Sequence, residues 1–314
     1  MELVFLGTPS FAVPTLERIV DAGHRVTAVF TQPDRPKGRG GQLAPSPVKQ
    51  SALRLGLPVH QPERIRRPEV VEQLRHINPD AMVVVGYGQI IPQSIIDIPR
   101  LGIINVHASL LPKYRGAAPI QWAIVNGEKR TGVTTMQIDA GLDTGDMLLK
   151  RETEIGCEEN ALELGERLSR MGADLLVETL SGLETGAIVP ERQDNAQASL
   201  APILKKEDGL IDWSRPAYEI FNRARGFLPW PGAYTFFRSN IFHVWKCRLT
   251  EKTNTGREAC ATLMPEKRRL FVRCGSGTLL ELLEVQIEGR KRVAAEAFLN
   301  GHRLEENETL GAIH

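Results

Sequence analysis

Along the first two-thirds of the chain, short unbroken apolar runs alternate with stretches of helical periodicity. Leu3–Leu6 reads as an apolar strand, Ser10–Ala22 as an amphipathic helix opened by Ser10, and Arg25–Thr31 as a strand rich in Val, Thr and Phe. Pro47–Leu55 and Glu69–Ile77 read as helices flanking a short strand near Val59. Ala81–Val85 and Ile103–His107 are continuous apolar strands, Ala117–Asn126 is helical, and Gly132–Ile138 is a further strand. Near-continuous apolar strands between helices predict an α/β protein, with a Rossmann-like, doubly wound parallel sheet covered by helices on both faces.

The pattern then changes. Glu158–Glu184 is an amphipathic helix with Leu162, Leu168, Leu175, Leu176 and Leu180 inward, whereas Gly186–Leu204 lacks clean periodicity and reads as a connector. A helix near Ala217–Arg225 precedes short strands near Ala233–Arg238, Phe242–Thr250, Leu270–Cys274 and Thr278–Gln286, and Ala294–Leu299 closes the chain as a helix. Short strands with turns between them predict a small antiparallel barrel. The expected division is 1–187, a linker over 188–206, and 207–314.

Composition narrows the class without naming a chemistry. A chain of 314 residues, 42% hydrophobic and 25% charged, has room for two cores. Residues 1–204 hold 21 Lys and Arg against 24 Asp and Glu, and residues 205–314 hold 18 against 14, so the net +1 divides into −3 and +4. That asymmetry permits a nucleic-acid partner for the second region. Cys157, Cys247, Cys260 and Cys274 are widely spaced, which favours reduced thiols over a disulfide framework or zinc knuckle. With no charged leader and no membrane-length apolar run, the expectation is a soluble cytoplasmic protein, working as a monomer.

Several ligand classes are disfavoured by pattern. The first strand runs into Gly7-Thr8-Pro9-Ser10 without a Gly-x-Gly-x-x-Gly turn, and Gly38–Gly41 lies too far past its strand to serve as one. No Gly-Lys-Ser/Thr phosphate loop exists. The seven histidines show no paired ligand spacing, so no metal is expected.

The chemistry concentrates at strand ends, where ligands of such sheets sit. Alternation puts Ile103, Asn105 and His107 on one face and Ile104 and Val106 on the other, before the strand breaks at Ser109-Leu110-Leu111-Pro112. A second end runs into Gly86-Tyr87-Gly88, where glycines let backbone approach a planar ligand. A third, after Ile138, is the acidic loop Asp139–Asp146, from which Asp143 is expected to reach His107. An amide and an imidazole can donate to a developing oxyanion, and a carboxylate can orient the imidazole and help move protons, which suits acyl-type transfer. A hydrogen-bonded core histidine and an ordinary tight acidic turn remain the alternatives.

Asn105-Val106-His107 with Ser109–Gly116 resembles the folate-dependent formyltransferases. Phe5–Pro9, Ala117–Ala123, Thr131–Thr134, Gly141–Met147 and Pro229–Ala233 extend the likeness over essentially the whole chain. The basic segment Gln32–Lys49 is similar to the insertion loop with which the tRNA-specific members approach an acceptor end. Arg35, Lys37 and above all Arg39, on a Gly/Pro-rich loop, suit phosphate contact, with a merely solvated loop as the alternative. The resemblance implies formyl transfer from 10-formyltetrahydrofolate, as co-substrate, to the α-amine of methionyl-initiator tRNA. It implies Asn105, His107 and Asp143 as catalytic, and Gly86, Tyr87, Gly88, Ile90, Ser109, Leu110, Leu111, Pro112, Gln137 and Asp139 against the folate. Arg35, Lys37, Arg39, Lys205 and Lys206 are implied to face the tRNA, and the second region to be similar to an OB-fold. A small amine acceptor, such as a nucleotide sugar or glycinamide ribonucleotide, is the competing substrate. An RNA-binding module without turnover is the competing class.

Overall fold

A computed structural model describes residues 1–37, 42–254, 256 and 258–311. The chain divides into two compact units. The first comprises Met1–Pro119, Arg130–Glu154 and Leu164–Pro202; the second comprises Ile120–Lys129, Ile155–Glu163 and Ile203 onward.

The first unit is built on seven strands: β1 (Glu2–Gly7), β2 (Arg25–Phe30), β3 (Val59–His60), β4 (Ala81–Val85), β5 (Ile103–His107), β6 (Arg130–Gln137) and β7 (Met147–Glu154). Their order across the sheet is β7-β6-β5-β4-β1-β2-β3. The five strands from β5 to β3 are parallel, as the apolar runs predict. The other two extend this parallel core at one edge, with β6 antiparallel to β5 and β7 antiparallel to β6. β6 opens at the end where β5 stops, so the connection needs no crossover to the far edge of the sheet. β7, a strand the sequence reading does not include, is the edge strand MLLKRETE, buried at its first two positions and then alternating half-buried and exposed.

Helices cover the sheet where the sequence gives them an apolar face. Val70, Val71 and Leu74 of the helix Pro68–Ile77 pack with Val4, Leu6, Met82, Val84 and Ile103. Val106 faces the long helix Ala161–Glu184 instead, as strand alternation requires. A Cβ on Gly172 of that helix would stand 2.7 Å from Val106 Cγ1, so only glycine permits the approach. Leu168, Leu175, Leu176 and Leu180 are buried, but Leu162 is 55% exposed, correcting its inward assignment. It lies in the first turn, before the stretch that covers the sheet.

The second unit is an antiparallel sheet of β8 (Ala233–Phe237), β9 (Asn240–Thr253), β10 (Leu263–Glu266), β11 (Arg269–Arg273) and β12 (Thr278–Ile287), in the order β8-β9-β12-β11-β10. Val293–Ala294 pairs β12 beside this path. Its core joins Trp213, Ile220 and Phe221 to Phe242, Val244, Leu270, Leu282 and Phe298. Phe271 is buried, with the cations of Arg269 and Lys252 4.7 and 5.0 Å from its ring centre. Trp245 is half-buried and donates Nε1–H to Gln286 Oε1 at 2.8 Å. All four cysteines are free thiols. Among the described residues no helix is long and apolar enough to cross a membrane.

Candidate active site

β5 delivers its two polar side chains to one place. Asn105 is half-buried and His107 buried, and between them stands the carboxylate of Asp143. Asn105 Nδ2 lies 3.4 Å from Asp143 Oδ1, and His107 Nδ1 lies 3.7 Å from Asp143 Oδ2. The route by which Asp143 arrives differs from expectation. Because β6 is antiparallel, its carboxyl end lies beside Ile104, which pairs with Gln137, while His107 pairs with Thr134. The loop after Ile138 therefore folds back along β5 to reach the imidazole.

Tautomer logic follows from the other ring nitrogen. His107 Nε2 is 2.9 Å from Tyr114 O, and a carbonyl only accepts, so Nε2 carries the hydrogen. The neutral ring then leaves its lone pair on Nδ1, the nitrogen on the side of Asp143. The 3.7 Å gap exceeds hydrogen-bond length, leaving Nδ1 free to engage a substrate atom. Gly116 N donates to Asp143 Oδ2 at 2.8 Å, so one carboxylate oxygen is fixed by backbone.

The Ser109–Pro112 break is tethered to β6. Thr134 Oγ1 donates to Ser109 O at 2.7 Å and accepts from Leu111 N at 3.1 Å, while Ser109 Oγ donates to Lys113 O at 2.6 Å. Ser109 and Leu111 are buried, Leu110 and Pro112 half-buried, and the Leu111–Pro112 peptide is cis. The second loop presents Gly86 and Gly88 exposed, and Ile90 is 90% exposed. Tyr87 turns the other way: its ring packs among Leu6, Phe30 and Ile91, and burial pushes its hydroxyl up to about 12. What Tyr87 offers the loop is its carbonyl, which accepts from Thr8 Oγ1 and Gln32 Nε2, each at 3.0 Å. Gln137 is half-buried; exposed Asp139 accepts from Gly141 N and Thr144 Oγ1 and so shapes its own loop.

Around the basic segment, Arg35 is exposed on the short strand Arg35–Lys37, which pairs with Gln42–Ala44. Arg39 lies outside the described residues, as do Gly38, Gly40 and Gly41. The base of the segment is anchored: Asp34 accepts from Lys49 Nζ and Gln61 Nε2, each at 2.7 Å, and these bonds hold its carboxyl below the usual range. Ser46 caps the next helix by accepting from Lys49 N at 3.0 Å, with Pro47 behind it. Lys205 and Lys206 belong to the second unit, both exposed at the start of the turn Lys206–Gly209. Among the described residues no group of three His, Cys, Asp or Glu side chains is placed to hold a metal ion.

Arg115 lies inside the Ser109–Gly116 motif without a role assigned to it, and two further residues of this site, Gln193 and Ser199, carry no signal in the sequence pattern. Tyr114 N donates to Ser199 Oγ at 2.9 Å, and Arg115 and Gln193 are joined by a buried hydrogen bond. The residues in 189–202 fall in the stretch read as a connector.

The fold is shared with solved formyltransferases of low sequence identity. An N-formyltransferase from Helicobacter canadensis, in complex with folinic acid and dTDP-3-aminofucose, superposes with a TM-score of 0.65 at 18% identity, over 89% of this chain and 98% of that one. A glycinamide ribonucleotide transformylase from Symbiobacterium toebii gives 0.52 at 19% identity, over 62% of this chain and 94% of that one. Residues 1–180 match the formyl transferase family model, and residues 203–303 match the formyl transferase C-terminal domain. A methionyl-tRNA formyltransferase of Solibacter usitatus is 67% identical over 314 residues, covering all of both chains. One of Koribacter versatilis is 59% identical over 314 residues, covering all of this chain and 99% of the other. The chain belongs to the formyl transferase family.

Proposed function

We propose that this chain transfers the formyl group of 10-formyltetrahydrofolate to the α-amine of methionyl-initiator tRNA, yielding N-formylmethionyl-tRNA for translation initiation. The observation that carries the chemistry is the meeting of Asn105, His107 and Asp143 at one strand, within 3.4 and 3.7 Å contacts. The full-length relatives support the choice of acceptor.

In this reading the neutral amine attacks the formyl carbon, forming the new C–N bond as the carbonyl electrons move to oxygen. A free α-amino group titrates at about 7.7–8.0, so a modest base suffices to keep it neutral. The Asn105 amide and a protonated His107 Nδ1 donate to the oxyanion, and Asp143 stabilises that imidazolium across the gap. Collapse restores the carbonyl and breaks the bond to the folate nitrogen. The proton lost by the amine is returned to that nitrogen through the His107–Asp143 pair. The pterin lies along Gly86, Gly88, Ile90, Gln137 and Asp139, with Ser109, Leu110, Leu111 and Pro112 as floor and Tyr87 supporting from beneath. Arg35, Lys37, Arg39, Lys205 and Lys206 meet tRNA phosphates. The protein acts as a monomer in the cytoplasm.

Incubation with labelled formyl donor tests this directly. Label is expected in methionyl-initiator tRNA and absent from free methionine and uncharged tRNA. Transfer to a nucleotide sugar or glycinamide ribonucleotide instead, or tight tRNA binding without turnover, contradicts it.

A further inference from the structure

Gln193 is only 5% exposed, and both ends of its amide are in use. Oε1 accepts from Arg115 Nε at 2.9 Å, while Nε2 donates to Asp143 O at 2.9 Å and to Gly145 O at 2.7 Å. Arg115, 7% exposed, also donates to Asn195 Oδ1 at 2.9 Å. A guanidinium has donors and no acceptor, so the amide atom facing it is oxygen. The NH2 group is thereby aimed at the two carbonyls of the Asp143 loop. Arg115 fixes which way Gln193 points, and Gln193 fixes the loop.

That loop needs holding. Asp143 sits at φ 51°, in the left-handed region that side chains avoid. The same segment grips the opposite wall of the site. Ser199 O accepts from Arg115 N at 2.8 Å, and Leu200–Ala201 pairs in parallel with Arg115–Gly116. Gly116 is sterically required there, because a Cβ would stand 2.7 Å from Ala201 O. The wall thus held supplies Tyr114 O to His107 Nε2 and Gly116 N to Asp143 Oδ2.

We infer that Gln193, oriented by Arg115, is a positioning residue that sets the Asp143 carboxylate opposite Asn105 and His107. This rests on the reading of that trio as the transfer site.

The discriminating variant is Gln193→Glu. It keeps shape and strengthens the contact to Arg115, but turns an oxygen toward Asp143 O and Gly145 O. Expected are a kcat lower by ~10–100-fold with KM for tRNA little changed. Amide exchange at Gly116, whose N–H donates to Asp143, is expected to quicken while β5 amides keep their protection. Asn195→Ala, which removes the exposed partner of Arg115, should behave as wild type in both measurements. Gln193→Met, equal in length and without donors, repeats the test should the charged variant fold poorly. Unchanged kcat, a loss confined to KM, or exchange raised throughout the unit overturns the inference. A wild-type protein that transfers no formyl group defeats the reading of function instead, and Gly116 exchange still decides the placement of Asp143.

Discussion

Among the described residues each unit buries one arginine or carboxylate side chain, Arg115 in the first and Glu281 in the second, and the two are satisfied in opposite ways. In the first unit Arg115 ends on the neutral amide oxygens of Gln193 and Asn195. In the second, Glu281 has a side chain 4% exposed and is clasped by Arg248 and Arg269, with Arg269 Nε at 2.7 Å from Oε1 and Arg248 NH2 at 2.8 Å from Oε2. The glutamate joins three neighbouring strands of one sheet, so its bonds stabilise an element that already has regular hydrogen bonding. The arginine acts on irregular backbone, where no ladder fixes the geometry. Buried charge thus serves stability in one unit and loop placement in the other.

That contrast breaks most readily at Arg115. Arg115→Lys replaces the rigid guanidinium fork with a flexible point donor that no longer fixes the Gln193 amide, and is expected to lower kcat by ~10-fold or more while tRNA affinity holds. Steady-state kinetics with both substrates varied check it. Glu281→Ala should do the reverse, costing about 1–3 kcal/mol in urea unfolding of the full chain while kcat stays at the wild-type level. Equal loss of activity in the two variants would erase the distinction.

The pH response of Glu281 sharpens it further. Bonds from Arg269, then Arg248, hold its carboxyl below the usual value, so the unfolded chain binds this proton more readily than the folded one. Its contribution is present above the ordinary glutamate value of 4.5 and is lost as pH falls through the lower folded value. Acid unfolding curves of wild type and Glu281→Gln should converge as pH drops below that window. The smallest effect is expected at Asp34, whose bonds to Lys49 and Gln61 anchor the basic segment. Asp34→Ala should raise KM for tRNA by about two- to fivefold without moving kcat, as loss of anchoring rather than of phosphate contact. An unchanged KM would detach this anchor from tRNA binding.

What could be read from the chain tracks the kind of order involved. β1, β4 and β5 are legible because burial on both faces demands unbroken apolar runs, and Asn105 and His107 stand out as polar breaks in such a run. The direction of β6 is invisible, since a period of two is the same read forward or backward. β7 escapes because four of its eight residues, Lys150, Arg151, Glu152 and Glu154, are charged. Tyr87 stands between Gly86 at φ 56° and Gly88 at φ 84°, and this turn sends the ring into the core while its carbonyl stays with the loop. Gln193 is silent because it joins residues 78 and 50 positions away through neutral groups that no periodicity marks.

The sharpest check is single-turnover transfer from saturating 10-formyltetrahydrofolate to methionyl-initiator tRNA, with wild type beside Asn105→Ala and Asp143→Asn. Both variants are expected to bind donor and tRNA yet transfer ~10²–10³-fold more slowly. A folded Asn105→Ala or Asp143→Asn protein transferring within about threefold of wild type would contradict the account.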